Sequence, residues 1–293
     1  MKQHTVIITI VGLCLSVVSP AWGQSEPVRW QRSAAPVTPE LQLFHSTHSL
    51  NLPTAETHRK GDFEFEISHR FFPAISKGYE DLYGFDGPVN MRIALGYAVT
   101  GRMLVTLGRS NSDDNVDFWA KYKAFQIKSD ILPTLIGFRA GVAWNPVRVT
   151  RSDGQGNLYV RHRNHKRNFQ YYGQLILNAM PHKRIGLGLV PSYLINRDIR
   201  DLEREQSFVL GVNAQVYFSR FWSILGEWAA TLTDKYGRHN PGAIGIELET
   251  GGHFFKVFVT NQTLLNPSQY LAGSEYPFDG DNLRFGFLIT RLL

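Results

Sequence analysis

The stretch that decides the fold is Val89–Val99, VNMRIALGYAV. Val89, Met91, Ile93, Leu95, Tyr97 and Val99 share one parity, and Asn90, Arg92, Ala94, Gly96 and Ala98 share the other. A period of two puts the apolar set on one face of a strand and the polar or small set on the opposite face. No 3.6-residue period fits these positions, so the segment is not a helix. Similar alternation runs through 62–71, 102–110, 115–127, 133–146, 168–180, 184–195, 206–218, 221–232, 243–250, 253–261 and 282–293, which makes twelve runs. Many exceed the mode of about five or six residues for soluble strands and match the roughly 9 to 11 that a tilted strand needs to cross a bilayer.

The connections between the runs alternate in length. Thr100–Gly101, Lys128–Leu132, Pro181–Lys183, Ser219–Arg220 and Gly251–Gly252 are short, whereas the intervening links Phe72–Pro88, Asn111–Asp114, Val147–Arg167, Asn196–Glu205, Thr233–Gly242 and Gln262–Asp281 are mostly longer. Short turns at one rim and long loops at the other, with an even strand count, are the pattern of outer-membrane barrels. Aromatics fall near both ends of the runs: Phe118, Trp144, Phe169, Tyr171 and Tyr193 toward the long loops, Tyr97, Phe218 and Trp222 toward the turns. A secreted β-sandwich would also alternate, but it explains neither the loop lengths nor the two aromatic belts. The expected fold is all-β: a single transmembrane up-and-down antiparallel barrel of about twelve strands, with both termini periplasmic.

Composition narrows the function classes. Residues 1–23 carry Lys2, an apolar run over Val6–Val18 and a small-residue site at Ala21–Gly23, which predicts a secretory signal peptide. The single cysteine, Cys14, lies inside it, so disulfides, thiolate catalysis and Cys-type zinc sites are excluded from the exported chain. A formal charge of +6 does not argue for nucleic acid. No later apolar run is long enough for a helical span. The expected organisation is a signal at 1–23, a proline-bearing periplasmic leader at 24–60 and a barrel at 61–293. The leader either hangs free or folds back into the barrel mouth.

Several segments resemble a family of bacterial outer-membrane β-barrel proteins known only as a domain of unknown function. They are LPTAET at Leu52–Thr57, FEISHRF at Phe65–Phe71, YGFD at Tyr83–Asp86, MRI at Met91–Ile93, GRS at Gly108–Ser110, KYK at Lys121–Lys123 and FGFLITR at Phe285–Arg291. The resemblance implies fold and location.

With the apolar faces on lipid, the other faces define a lumen bearing Glu64, Glu66, Arg70, Arg92, Asp117, Lys121, Lys123, Arg139, Glu227, Glu247, Glu249, Lys256 and Arg284. Strands two to five supply mainly cations, and strands nine, ten and one most of the anions. Such a division predicts either a transverse field across a water-filled pore or a salt-bridge network that closes the interior, because buried charges persist mainly when paired. The loop at 147–167 is the most basic stretch, and Arg148, Arg151, Arg161, Arg163, Lys166 and Arg167 are candidates to face lipopolysaccharide phosphates.

Chemistry-bearing constellations are weak. His45, Ser46, His48 and Ser49 sit in the leader rather than on rigid strands, where a nucleophile and its base need to be fixed. His162 and His165 lie among cations that would repel a metal ion, and no glycine-rich loop has the strand–loop–helix context of a phosphate cradle. No catalytic, metal or cofactor site is assigned. The expected role is a passive small-solute channel or a structural membrane component; the alternatives are a surface hydrolase or a docking partner for a periplasmic protein. The expected partners are outer-membrane lipid, lipopolysaccharide and the barrel-assembly machinery.

Overall fold

The computed structural model describes residues 40–152, 158–199, 205–233 and 237–293. The expected signal peptide and the first part of the leader lie outside them. The alternating runs form twelve barrel strands: β1 (Phe63–Phe71), β2 (Val89–Thr100), β3 (Met103–Ser110), β4 (Val116–Ile127), β5 (Thr134–Trp144), β6 (Phe169–His182), β7 (Ile185–Ile195), β8 (Gln206–Tyr217), β9 (Trp222–Thr231), β10 (Gly242–Glu249), β11 (His253–Thr260) and β12 (Arg284–Leu292). Each pairs antiparallel with the next, and β12 returns to β1 with Glu64 opposite Leu292 and Arg70 opposite Gly286, so the sheet is a closed barrel. Closure removes the unpaired edges that a strand ladder otherwise exposes.

The deciding stretch behaves as its alternation predicts. On β2, Asn90, Arg92, Ala94, Gly96 and Ala98 are buried, while Met91, Ile93, Leu95, Tyr97 and Val99 are exposed. The outer surface carries the same pattern around the barrel, with Leu107, Phe138, Val212, Ile224, Ile246 and Val257 among its exposed apolar side chains. Such a band is what a lipid-facing wall presents. Register shifts occur at Ala98/Thr100, Lys123/Phe125 and Ala179/His182, all near the turn rim, a common place for bulges in barrels.

Two of the long connections carry structure of their own. The loop at 147–167 is not irregular throughout: Val149–Ser152 pairs with Leu158–Arg161 as a short antiparallel ladder. The β11–β12 connection is not a solvated loop either. It dips inward as Asn261–Leu265 and a short helix, α1 (Pro267–Leu271), every residue of which is buried. Pro267 opens α1 where its missing N–H costs nothing, and the side chain of Gln269 accepts from the Asn266 N–H at 3.1 Å.

Candidate functional site

The lumen is occupied by the chain itself. Residues 41–57 enter at the turn rim, fold into a hairpin and leave at the same rim. The hairpin closes on itself through Ser49 N–H to Leu52 O at 2.8 Å and Thr54 N–H to Thr47 O at 3.0 Å. At the rim, Leu41 N–H donates to Gln126 Oε1 at 2.9 Å on the way in, and Thr57 Oγ1 donates to Gly101 O at 2.7 Å on the way out.

A hairpin with no neighbouring strand carries backbone groups that need partners once they leave water, and the wall's charged side chains meet that need. The Glu227 carboxylate on β9 accepts from the N–H groups of Leu50, Asn51 and Leu52 at 3.1, 2.9 and 3.1 Å, and from Asn51 Nδ2 at 2.6 Å. Lys256 on β11 donates to Ser46 Oγ, His48 O and Ser49 O at 2.7, 2.7 and 2.6 Å, and pairs with Glu247 at 3.2 Å. Lys121 on β4 donates to Thr47 O at 2.6 Å and Thr54 O at 3.0 Å. Glu247 also meets His45 Nδ1 at 3.0 Å, and Glu64 meets His58 Nε2 at 2.5 Å and Thr47 Oγ1 at 2.8 Å.

Apolar packing completes the fit. Phe44 and Leu52 lie against the inward-facing Gly186 and Gly211: a Cβ added there would come within 3.0 Å of the Phe44 ring and 2.8 Å of a Leu52 methyl. Both glycines mark a close approach of hairpin to wall. Leu52 then joins Tyr270 and Leu271 of α1, with Leu104, Trp119 and Tyr172 of the wall, in one buried cluster. The hairpin from one rim therefore meets the β11–β12 connection from the other, leaving between them a cavity of about 30 Å³ bordered by His48, Glu66, Arg92 and Tyr270.

Burial sets the protonation of the leader's own groups. Desolvation, reinforced by the nearby Lys256 ammonium, pushes the His48 imidazole well below its usual range. Desolvation raises the Glu56 carboxyl, against the pull of Lys123 and of the Leu43 and Phe44 N–H groups that Glu56 accepts.

The charges expected in the lumen divide into three sets. Glu64, Lys121, Glu227, Glu247 and Lys256 hold the hairpin directly, as do Arg70, which donates to Asn51 Oδ1 at 2.7 Å, and Lys123, 3.7 Å from Glu56. Arg92, Glu66 and Asp117 form a wall network, with Arg92 pairing to Glu66 at 2.5 Å and Asp117 at 2.8 Å, while Arg139 donates to Gln174 at 2.6 Å. Glu249 and Arg284 depart from the expectation. Glu249 sits at the turn rim, where it accepts from Gly251 N–H at 2.7 Å, and Arg284 sits at the loop rim, where it donates to Phe72 O and lies 3.5 Å over the Tyr276 ring.

The basic loop is split as well. Arg148, Arg163 and Lys166 are exposed and Arg167 is half-buried, while the side chain of Arg151 lies outside the described residues. Arg161 is buried, against expectation. The period of two along its ladder sends Val160 outward and turns Arg161 in.

Sequence reasoning missed the contribution of the backbone. Of the two expected alternatives for the lumen, wall charges do pair at Arg92–Glu66, Arg92–Asp117 and Lys256–Glu247; the hairpin's carbonyls and N–H groups, which no residue type announces, add the partners that Lys121, Glu227 and Lys256 take from the leader. His45, Ser46 and His48 are spent on this packing, with Ser46 Oγ donating to the His48 carbonyl at 2.8 Å rather than to an imidazole.

Comparison with curated proteins finds no match. Among solved structures the chain is similar to the NanC porin, at 10% identity and a TM-score of 0.44 over 78% of this chain and 98% of that one. It is also similar to the outer membrane phospholipase A from Escherichia coli, at 8% and 0.40 over 80% and 89%, and to OmpT of Vibrio cholerae, at 7% and 0.38 over 79% and 96%. These likenesses are too distant to carry an argument about activity. The model of the membrane-bound beta barrel domain (DUF5777) matches residues 44–293, a span that takes in most of the leader hairpin along with every barrel strand, and the chain belongs to that family.

Proposed function

We propose that this protein is an outer-membrane barrel that works as a gated small-solute channel, with the leader hairpin as the gate and the turn rim facing the periplasm. The observation that carries this reading is where the buried wall charges end. Glu227, Lys121 and Lys256 are satisfied mainly by hairpin backbone rather than by one another. A permanent core is at least as stable with apolar side chains as with buried charges, whereas a wall that is periodically wetted needs charges that water can solvate. With the hairpin out, Glu64, Arg70, Lys121, Glu227 and Lys256 would line an aqueous path, and the β11–β12 connection with α1 would be the constriction that keeps solutes small. Twelve strands sit between the filled eight-stranded barrels and the open channels of about 16 to 18.

The exposed apolar wall, the short turns at one rim and the long loops at the other support placement in the outer membrane, inserted by the barrel-assembly machinery. Arg148, Arg163 and Lys166 suit lipopolysaccharide phosphates at the loop rim. No hydrolase chemistry is part of this reading, and the leader upstream of the gate is where a periplasmic partner would take hold.

The test is a covalent lock. A Cβ at Gly137 would lie 3.3 Å from that of Ala55, near the range of about 3.5 to 4.5 Å for disulfides. In a planar bilayer, Ala55→Cys with Gly137→Cys should be silent when oxidised and show intermittent steps when reduced, and deletion of 41–56 should give steady conductance. Silence in all three forms would replace the channel with a structural role.

A further inference from the structure

At the turn rim, beside the entering leader, the barrel leaves a pocket of about 510 Å³. Leu43, Phe44 and Met180 line its apolar part. Two neighbouring turns carry its charge: Lys183 and Arg184 between β6 and β7, and Arg220 between β8 and β9. No carboxylate is among the described lining residues. The nearby Glu247 is already engaged by Lys256 and His45. Lys183, Arg184 and Arg220 make no ion pair among the described residues, and the Arg220 guanidinium lies 4.4 Å over the Phe221 ring.

The outer side of the same turns is aromatic and open. Phe218, which also lines the pocket, is 53% exposed, and Phe221 and Trp222 are exposed beside it. Exposed aromatics at a barrel rim mark the level of the lipid headgroups, so the pocket opens where a headgroup would reach it. Three cations with no carboxylate partner among the described residues call for an anion, and phosphate oxygens suit a guanidinium–ammonium cluster. A free phosphate would satisfy the charge but leave Phe44, Met180 and Phe218 uncovered. A lipid satisfies both.

We propose that this pocket takes the phosphodiester headgroup of an anionic phospholipid from the leaflet at the turn rim, with the phosphate between Lys183, Arg184 and Arg220 and the start of an acyl chain along Phe218. Because Leu43 and Phe44 belong to the leader, the bound lipid bridges leader and barrel and holds the hairpin in place. The inference rests on the membrane setting of the proposed function and not on release of the gate, so lipid retention and conductance succeed or fail separately.

The experiment is native mass spectrometry of the refolded mature protein with phosphatidylglycerol and phosphatidylcholine of matched acyl chains. Phosphatidylglycerol should be retained on the order of tenfold better, because both lipids offer a phosphodiester to the three cations but the quaternary ammonium of choline cancels its charge and is repelled by them. Lys183→Gln with Arg184→Gln and Arg220→Gln should bring retention down to the phosphatidylcholine level while the folded band on unheated gels persists. Lys128→Gln, in the β4–β5 turn outside the pocket, should leave retention unchanged. Equal retention of the two lipids, or an equal loss with Lys128→Gln, would overturn the proposal. Displacement of phosphatidylglycerol by millimolar inorganic phosphate would assign the pocket to free phosphate and overturn the lipid.

Discussion

The two segments that fill the lumen are built differently. The leader hairpin is held through its backbone by full charges from β4, β9 and β11, and both its ends emerge at the turn rim. The β11–β12 connection is tethered at both ends to adjacent strands and held through amides. Asn90 Nδ2 donates to Thr263 O at 2.7 Å, Gln262 Nε2 to Gly273 O at 3.1 Å, and Asn266 Nδ2 to Asp117 Oδ1 at 2.7 Å and also to Asn115 Oδ1. Two strand tethers hold the loop in place, whereas the leader's charged contacts can be replaced by hydration of the wall groups when it leaves. In the proposed gate the leader is the detachable closure and the loop the fixed one.

Lys256→Met should separate them most. It breaks a buried pair with Glu247 and leaves the His48 and Ser49 carbonyls without their donor, a loss of about 3–5 kcal/mol in leader retention. Hydrogen exchange should speed up in 43–56 while β1–β12 and 264–272 stay protected. Asn266→Ala is the converse change: losing its bonds to Asp117 and Asn115 should cost about 1–3 kcal/mol, with faster exchange confined to 264–272. If each variant loosened both segments, the two closures would be one cooperative plug and the distinction between them would fall.

The smallest effect should be one of pH. A released His48 takes a proton near its ordinary value of about 6.5, but buried beside Lys256 it takes one only well below that. Between those values the released form holds more protons, so retention of the hairpin weakens as pH falls through about 6.5 and stays firm above it. Glu64, Glu66, Lys121 and Arg139 also face this imidazole, and Glu56, raised by burial, acts in the opposite sense. His48→Gln removes only the first contribution. The open fraction in bilayers, measured from pH 7 to 5, should rise more in the unmodified protein than in the variant, and identical curves would show that His48 does not govern opening.

Much of the barrel was legible because a period of two is a local property. VNMRIALGYAV carries its own inside and outside wherever it sits, and the short turns and long loops then fix the order of the strands. The ladder inside the basic loop was less legible, since two runs of four residues are too short for alternation to stand out, and Arg161 was misjudged with them. The inward glycines were the available signal for the hairpin. Gly186 and Gly211 interrupt lumen faces that would otherwise carry larger side chains, and a missing side chain there means that something else fills the space.

The sequence by itself determined that the chain closes into a membrane barrel and, apart from Glu249 and Arg284 at the rims, which charges face inward, because both follow from alternation and from the cost of exposing polar groups to lipid. Only the tertiary structure decided what those charges do. Glu227 meets Leu50 N–H across 177 positions of chain, and Lys256 meets Ser49 O across 207. Backbone donors and acceptors are the same at every residue, so no side-chain pattern marks which of them a distant carboxylate or ammonium will find.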